Sequence, residues 1–259
     1  MRNSILLLFV FSCLGLTAQK NTWVYFVAFH DKGNAYSLSK PAAYLSAKAI
    51  ERRTKYSIAI DSADLPVNEV YIKAVLENHV TLRNKSKWLN GISIDVTDTS
   101  VIHDIASLPF VRSVTKTALY KKTARNEASD AFDFMQGDTA KKDMTDPYGQ
   151  SLTQIKMLQG IQMHKLNYTG TNVCVAVLDA GFFNAHKLTW FKQLQANQQI
   201  LATKDFVEND NYVFDGNSHG LEVLSCMAAT DSGNFIGTAP GAKYLLLRSE
   251  DAEIQFYQH

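Results

Sequence analysis

The run Val173-Cys174-Val175-Ala176-Val177-Leu178, followed at once by Asp179-Ala180-Gly181, decides the fold. Successive apolar residues leave neither face of a strand for water, so the run predicts a strand buried on both faces, as in a parallel sheet. Lys243 to Leu247 predicts a second strand of this kind, and Leu221 to Ala229 between them is helical in character. Strand, helix, strand with both strands continuously apolar implies an α/β domain. A helix-like stretch from Thr153 to Lys165 precedes it, and the segment opens near Tyr148-Gly149.

Residues 22–116 are patterned differently. Trp23 to Phe29 is an apolar, aromatic run suited to a strand. Ser39 is expected to cap a helix running through Tyr44, Leu45, Ala49 and Ile50, with Pro41 in its first turn. A second helix begins near Pro66 and carries Val70, Ala74 and Val75. Val80 to Asn84 and Ile92 to Thr97 predict strands joined through Trp88-Leu89-Asn90-Gly91, with Trp88 and Leu89 expected in the core. In Ile92-Ser93-Ile94-Asp95-Val96 the apolar residues alternate, as one buried sheet face requires. A helix from Val101 stops before Pro109, and Phe110 to Val114 returns as a strand. The order β-α-α-β-β-α-β suits helices packed on one face of a small antiparallel sheet, a ferredoxin-like arrangement with one extra helix.

Composition narrows the function classes. Of 259 residues, 26 are Lys or Arg and 25 Asp or Glu, a formal charge of +1, with 46% apolar residues. That balance removes the electrostatic case for nucleic acid or an anionic membrane as partner. Arg2, the apolar run Ile5 to Leu16 and the small residue Ala18 read as a secretory signal over residues 1–18, which implies a secreted or periplasmic protein. The competing reading, a lipoprotein signal at Cys13, fits Val10-Phe11-Ser12-Cys13 poorly. Cys174 and Cys226 sit inside apolar runs, so both are expected as free thiols in the core, although export would permit a disulfide between them. No Cys or His stands at ligand spacing from either, and no metal is expected. Residues 117–147 carry Lys121, Lys122, Arg125, Glu127, Asp130 and further charges with few apolar residues, the composition of an exposed linker.

Two residues are placed for chemistry. Asp179 directly follows the apolar strand, and the carboxyl ends of strands are where α/β sheets display reactive groups. His219, in Ser218-His219-Gly220, opens the helix, where the macrodipole favours the neutral imidazole that a general base must be. Taken singly, Asp179 reads equally as a cap or turn former, and His219 as an ordinary polar residue at a helix entrance.

Taken together they carry a resemblance. Tyr168-Thr169-Gly170-Thr171-Asn172 through Asp179-Ala180-Gly181 is similar to the first signature of the subtilisin-like serine proteases. Ser218-His219-Gly220, followed by Gly237-Thr238-Ala239-Pro240-Gly241-Ala242, resembles the family's histidine region and the strand after it. The resemblance covers roughly residues 148–248, and the first segment is similar in order and size to the family's propeptide. It implies a signal peptide (1–18), a propeptide-like α+β domain (19–116), a linker (117–147) and the first part of a doubly wound parallel-sheet catalytic domain (148–259). It also implies Asp179 as the acid that orients the histidine, His219 as the general base and polypeptides as substrates.

Departures from the family pattern shape the expectation. The family's nucleophile lies in a Gly-Thr-Ser motif far beyond the histidine, and no such triplet occurs among these residues. Ser218, Ser225 and Ser232 are not expected to replace it, so the chain reads as an N-terminal fragment, inactive alone. Leu221 stands where Thr normally follows His-Gly, and Glu222, near the helix start, is expected to be structural. His186 likewise reads as structural. Some relatives bind calcium near the position of Asp231-Ser232-Gly233-Asn234, but this short loop has one carboxylate and reads as a simple turn, so no cofactor is expected. Arg52-Arg53 reads as a solvated helical face before a processing site. The competing functional reading is a non-enzymatic exported protein whose first domain inhibits a related protease.

Overall fold

The computed structural model describes residues 22–120 and 146–251. The expected signal, most of the charged linker and the last eight residues lie outside the described residues. The chain divides into two compact units at Lys121/Lys122, each with its own core. Among the described residues no helix is long and apolar enough to cross a membrane.

In the first unit the sheet runs β2-β3-β1-β4, every pair antiparallel. Its strands are β1 (Thr22–Phe29), β2 (Thr81–Ser86), β3 (Gly91–Val96) and β4 (Val111–Tyr120). The alternation in β3 works as the sequence implies: Ile92, Ile94 and Val96 enter the core, and Asp95 accepts a 2.7 Å hydrogen bond from Arg83 Nε. Onto the core face pack Ile72 and Val75 of α2 (Glu69–Leu76) and Ile105 of α3 (Val101–Ser107). Each such fully buried side chain contributes about 1.5–3 kcal/mol against exposure. The extra helix, α1 (Ala47–Lys55), buries no residue.

Three expectations are corrected here. Ser39 caps nothing: Pro41–Ala43 forms a separate 3-10 turn, and α1 starts later, where Ser46 Oγ accepts from Ala49 N at 3.2 Å. Trp88 and Leu89 are 75% and 63% exposed, because Ser86 pairs with Gly91 and leaves both at a hairpin tip that no described element covers. Arg53 is no solvated residue; it pairs with the buried Asp64 and donates to Ala59 O at 2.8 Å, while Arg52 stays exposed.

The second unit is built on a parallel three-stranded sheet, β5-β9-β6. Its strands are β5 (Cys174–Asp179), β6 (Ile200–Asp205) and β9 (Lys243–Arg248); β7 (Thr230–Asp231) and β8 (Phe235–Ile236) form a small hairpin. The expected long helix is broken into α4 (Leu152–Met157) and α5 (Gly160–Lys165) by Gln159 at φ 58°. α6 (Lys192–Ala196) leads into β6, and α7 (His219–Ala228) into the hairpin. Leu221, Leu224 and Ala228 of α7 pack with Val177, Phe182, Leu194, Tyr244 and Leu246.

The apolar strand is covered on one face only by the described elements. Val177 and Asp179 are buried, whereas Cys174, Ala176 and Leu178 point the other way and are exposed, Leu178 by 58%. The two cysteines are therefore not core thiols. Cys174 lies on the uncovered face of β5, and Cys226 lies on the outer side of α7, opposite Leu221, Leu224 and Ala228. Both are free.

Candidate active site

Three loops meet at the carboxyl end of the parallel sheet. β5 ends in Asp179, whose side chain is almost fully buried, and the chain leaves through Gly181 at φ +151°, a conformation L side chains rarely adopt. The segment 213–217 is laced to this exit by Phe182 N to Val213 O (2.9 Å), Phe183 N to Asn217 O (3.3 Å) and a bridge between Gly181 and Gly216. α7 then starts with His219, whose backbone N–H donates to Asn217 Oδ1 at 2.7 Å. That bond satisfies one of the free amides of a helix start.

The result is a carboxylate–imidazole pair. His219 Nδ1 lies 3.0 Å from both Asp179 Oδ1 and Oδ2. Because the partner is an acceptor, Nδ1 carries the proton and Nε2 presents its lone pair outward. Asp179 Oδ1 also accepts from Ala180 N at 2.7 Å, which holds the carboxylate. The imidazole itself is 67% exposed, so Nε2 is open to an incoming group. Gly220 makes the approach possible: a Cβ there would lie 2.4 Å from Gly181 O and 2.9 Å from Asp179 Cβ.

Electrostatically the site departs from the dipole argument. The hydrogen bond to Asp179 and then its charge raise the His219 pKa above the usual 6.5; burial opposes weakly, and Glu222 and Glu250 add to the rise. A carboxylate at bonding distance outweighs a helix-end effect of about 0.3–1 kcal/mol.

The other candidates fall elsewhere. Ser225 is buried and donates to Glu222 O at 2.6 Å, and Ser218 Oγ donates to Glu222 Oε1 at 3.3 Å, which ties Glu222 into the helix start. Ser232 sits at the β7–β8 turn, where Asn234 N donates to Asp231 O at 3.0 Å. Asn234 Nδ2 reaches Asp231 Oδ2 at 3.1 Å in the same turn. His186 packs against Phe214 at 4.6 Å between ring centres, and burial lowers its pKa. Among the described residues no cluster of three or more His, Cys, Asp or Glu is placed to hold a metal ion. Asn217, not singled out in the sequence, helps build the site by accepting from the His219 backbone N–H, without being reactive. An Asn two positions before the helix-opening His was the one local signal.

Comparison with known proteins relates the first unit to a propeptide family. Residues 24–131 match the family described as Peptidase S8 propeptide domain, Bacteroidota. The Major intracellular serine protease of Bacillus subtilis (strain 168) is 32% identical over 99 residues, 36% of this chain and 29% of that protein. Subtilisin E of the same strain is 29% identical over 108 residues, 41% of this chain and 25% of that one. The match thus spans between a quarter and a third of these curated relatives. A solved structure, the Epidermin leader peptide processing serine protease of Staphylococcus aureus, overlaps at a TM-score of 0.38 and 12% identity, over 88% of this chain and 43% of that one.

Proposed function

We propose a function for a chain that is subtilisin-like and carries the propeptide region of that family of serine proteases: it belongs to a secreted serine endopeptidase, in which Asp179 and His219 supply the acid and base of an Asp-His-Ser triad. The observation that carries this reading is the 3.0 Å Asp179–His219 pair at the carboxyl end of a parallel sheet. A serine hydroxyl is a poor nucleophile until a base takes its proton, and Nε2 of His219 is held in the tautomer able to do so. Asp179 then stabilises the imidazolium that forms, without taking a proton itself. The proton returns to the leaving amine as the acyl-enzyme appears, and a water repeats the cycle.

The nucleophile belongs, on this reading, to residues outside these 259, since no Gly-Thr-Ser triplet stands among them. Ser225 is turned to its own helix and supports no replacement. Polypeptides are the substrates, export follows from the N-terminal leader, and the proposed steps call on no cofactor. We read residues 19–116 as the propeptide domain, whose last strand runs on to Tyr120, the charged stretch from there to 147 as a linker and 148–259 as the first part of the catalytic domain. The strand order of the first unit supports the ferredoxin-like description, and the short Asp231–Asn234 turn supports reading it without calcium.

The test uses the 259-residue protein. Its His219 resonance, assigned by loss in His219→Gln, is expected to titrate above 6.5 and to move down in Asp179→Asn. No movement would overturn the pairing, and a serine labelled by a fluorophosphonate would overturn the placement of the nucleophile. A second reading has its own support in the first unit, which has its own core and the propeptide match. It holds that the chain inhibits a related protease without catalysis; adding it to subtilisin should then slow peptide hydrolysis, and no effect would sink that reading.

A further inference from the structure

A buried ion pair joins the ends of β6 and β9 to the exit from β5, and the proposed chemistry makes no use of it. Arg248, the last residue of β9, donates from Nη1 to Asp205 Oδ2 at 2.9 Å and from Nε to Ala180 O at 3.1 Å. The Asp205 side chain is fully buried, and its Oδ1 accepts from Val207 N and Glu208 N at 2.7 and 2.8 Å. A Cβ on Gly216 would stand 3.6 Å from Arg248 Cζ, so the guanidinium lies along the segment that leads into His219. The backbone repeats the pattern: Ser249 N donates to Asp179 O at 2.9 Å, and Phe206 N to Arg248 O at 2.8 Å.

Burying such a pair brings little net stability over well-packed apolar residues. What a planar guanidinium supplies is fixed geometry, with several donors aimed at once. Here those donors fix the end of β6 and the carbonyl of the residue that follows Asp179, against the loop that precedes His219.

We propose that Arg248, locked by Asp205, is the positioning residue of the acid–base pair, holding the exit from β5 so that Asp179 meets His219 Nδ1. The inference rests on reading Asp179 and His219 as acid and base. It predicts a sign that simple charge does not. Removing a nearby cation should raise the proton affinity of His219, whereas loosening Asp179 should lower it.

The experiment follows His219 by NMR in the full chain, comparing wild type with Arg248→Met, Arg248→Lys and Asp179→Asn, with His186 of the same unit as the internal control. Glu222 and Glu250 also act on His219 and are left in place. Positioning requires the His219 pKa to fall by about half a pH unit or more in both Arg248 variants, because Lys keeps the charge but not the planar fork. An unchanged or raised value in either variant overturns it, as does an equal movement of His186. Should Arg248→Met fail to fold with Asp205 unpaired, the lysine variant decides alone. If Asp179→Asn also leaves His219 unmoved, the acid–base reading itself fails; if only the Arg248 variants do, Arg248 is merely structural.

Discussion

Replacing Gly220 with Ala should pull the site apart from inside the helix. In an exposed helix interior this change usually adds about 0.5–1 kcal/mol of stability. At Gly220 the new Cβ would meet the backbone oxygen of Gly181 at 2.4 Å and Asp179 Cβ at 2.9 Å. An ordinary contact needs roughly 1 Å more than the first of these, and neither obstacle is the end of a flexible side chain. Gly181 is itself held by the bridge to Gly216, so the start of α7 must retreat instead. Overpacking of this kind costs about 1–3 kcal/mol, which set against the helix gain leaves an expected net loss of about 1 kcal/mol in the second unit. Urea unfolding followed through amide resonances of that unit gives the stability, and the His219 titration gives the geometry. Both should change together, with the His219 pKa falling toward 6.5. A variant as stable as wild type with an unmoved titration would refute the steric account.

The pH dependence has a definite sign. A histidine whose folded pKa is raised contributes stability fully below its unfolded value of about 6.5 and loses it as pH rises through the folded value. The stability gap between wild type and His219→Gln should therefore be wider at pH 5.5 than at pH 9 in denaturant titrations; a flat gap would contradict the pairing. Trp88→Ala, at the exposed hairpin tip, should change urea stability by no more than about 0.5 kcal/mol, and a loss above about 2 kcal/mol would restore it to the core. Cys174 and Cys226 should both react with a thiol reagent in the native protein, mapped by peptide mass, and protection of either would contradict its exposure.

The sequence made legible what repeats locally. The apolar runs of β5 and β9 and the spacing of Leu221, Leu224 and Ala228 by three and four each announce one element, and all three elements are present, though neither strand is buried on both faces. Asp179 and His219 were visible because a motif places each at an element's end, and their 3.0 Å approach follows from the sheet. β6 was invisible: Ile200-Leu201-Ala202-Thr203-Lys204-Asp205 neither alternates nor runs apolar, and only pairing with β9 makes it a strand. The covered faces were also illegible, since Cys174 and Val177 look alike in a run that does not say which side has a neighbour. Ser39 and Ser46 satisfy the same capping rule, and the 3-10 turn at Pro41 decided between them. The Arg248–Asp205 pair spans 43 positions, a separation at which no spacing argument operates.

The strand order β5-β9-β6 also sets a timetable. Of the three described strands of this sheet β9 is the last to leave the ribosome, yet it lies between the other two, so until residue 248 has emerged β5 and β6 lack the strand both pair with. A nascent chain that has already made Asp179 and His219 therefore carries both without the strand that aligns them. Such non-local parallel pairing is slow, and its open edges invite association with other chains. Alignment of Asp179 with His219 is thus expected only once this one six-residue strand has been made.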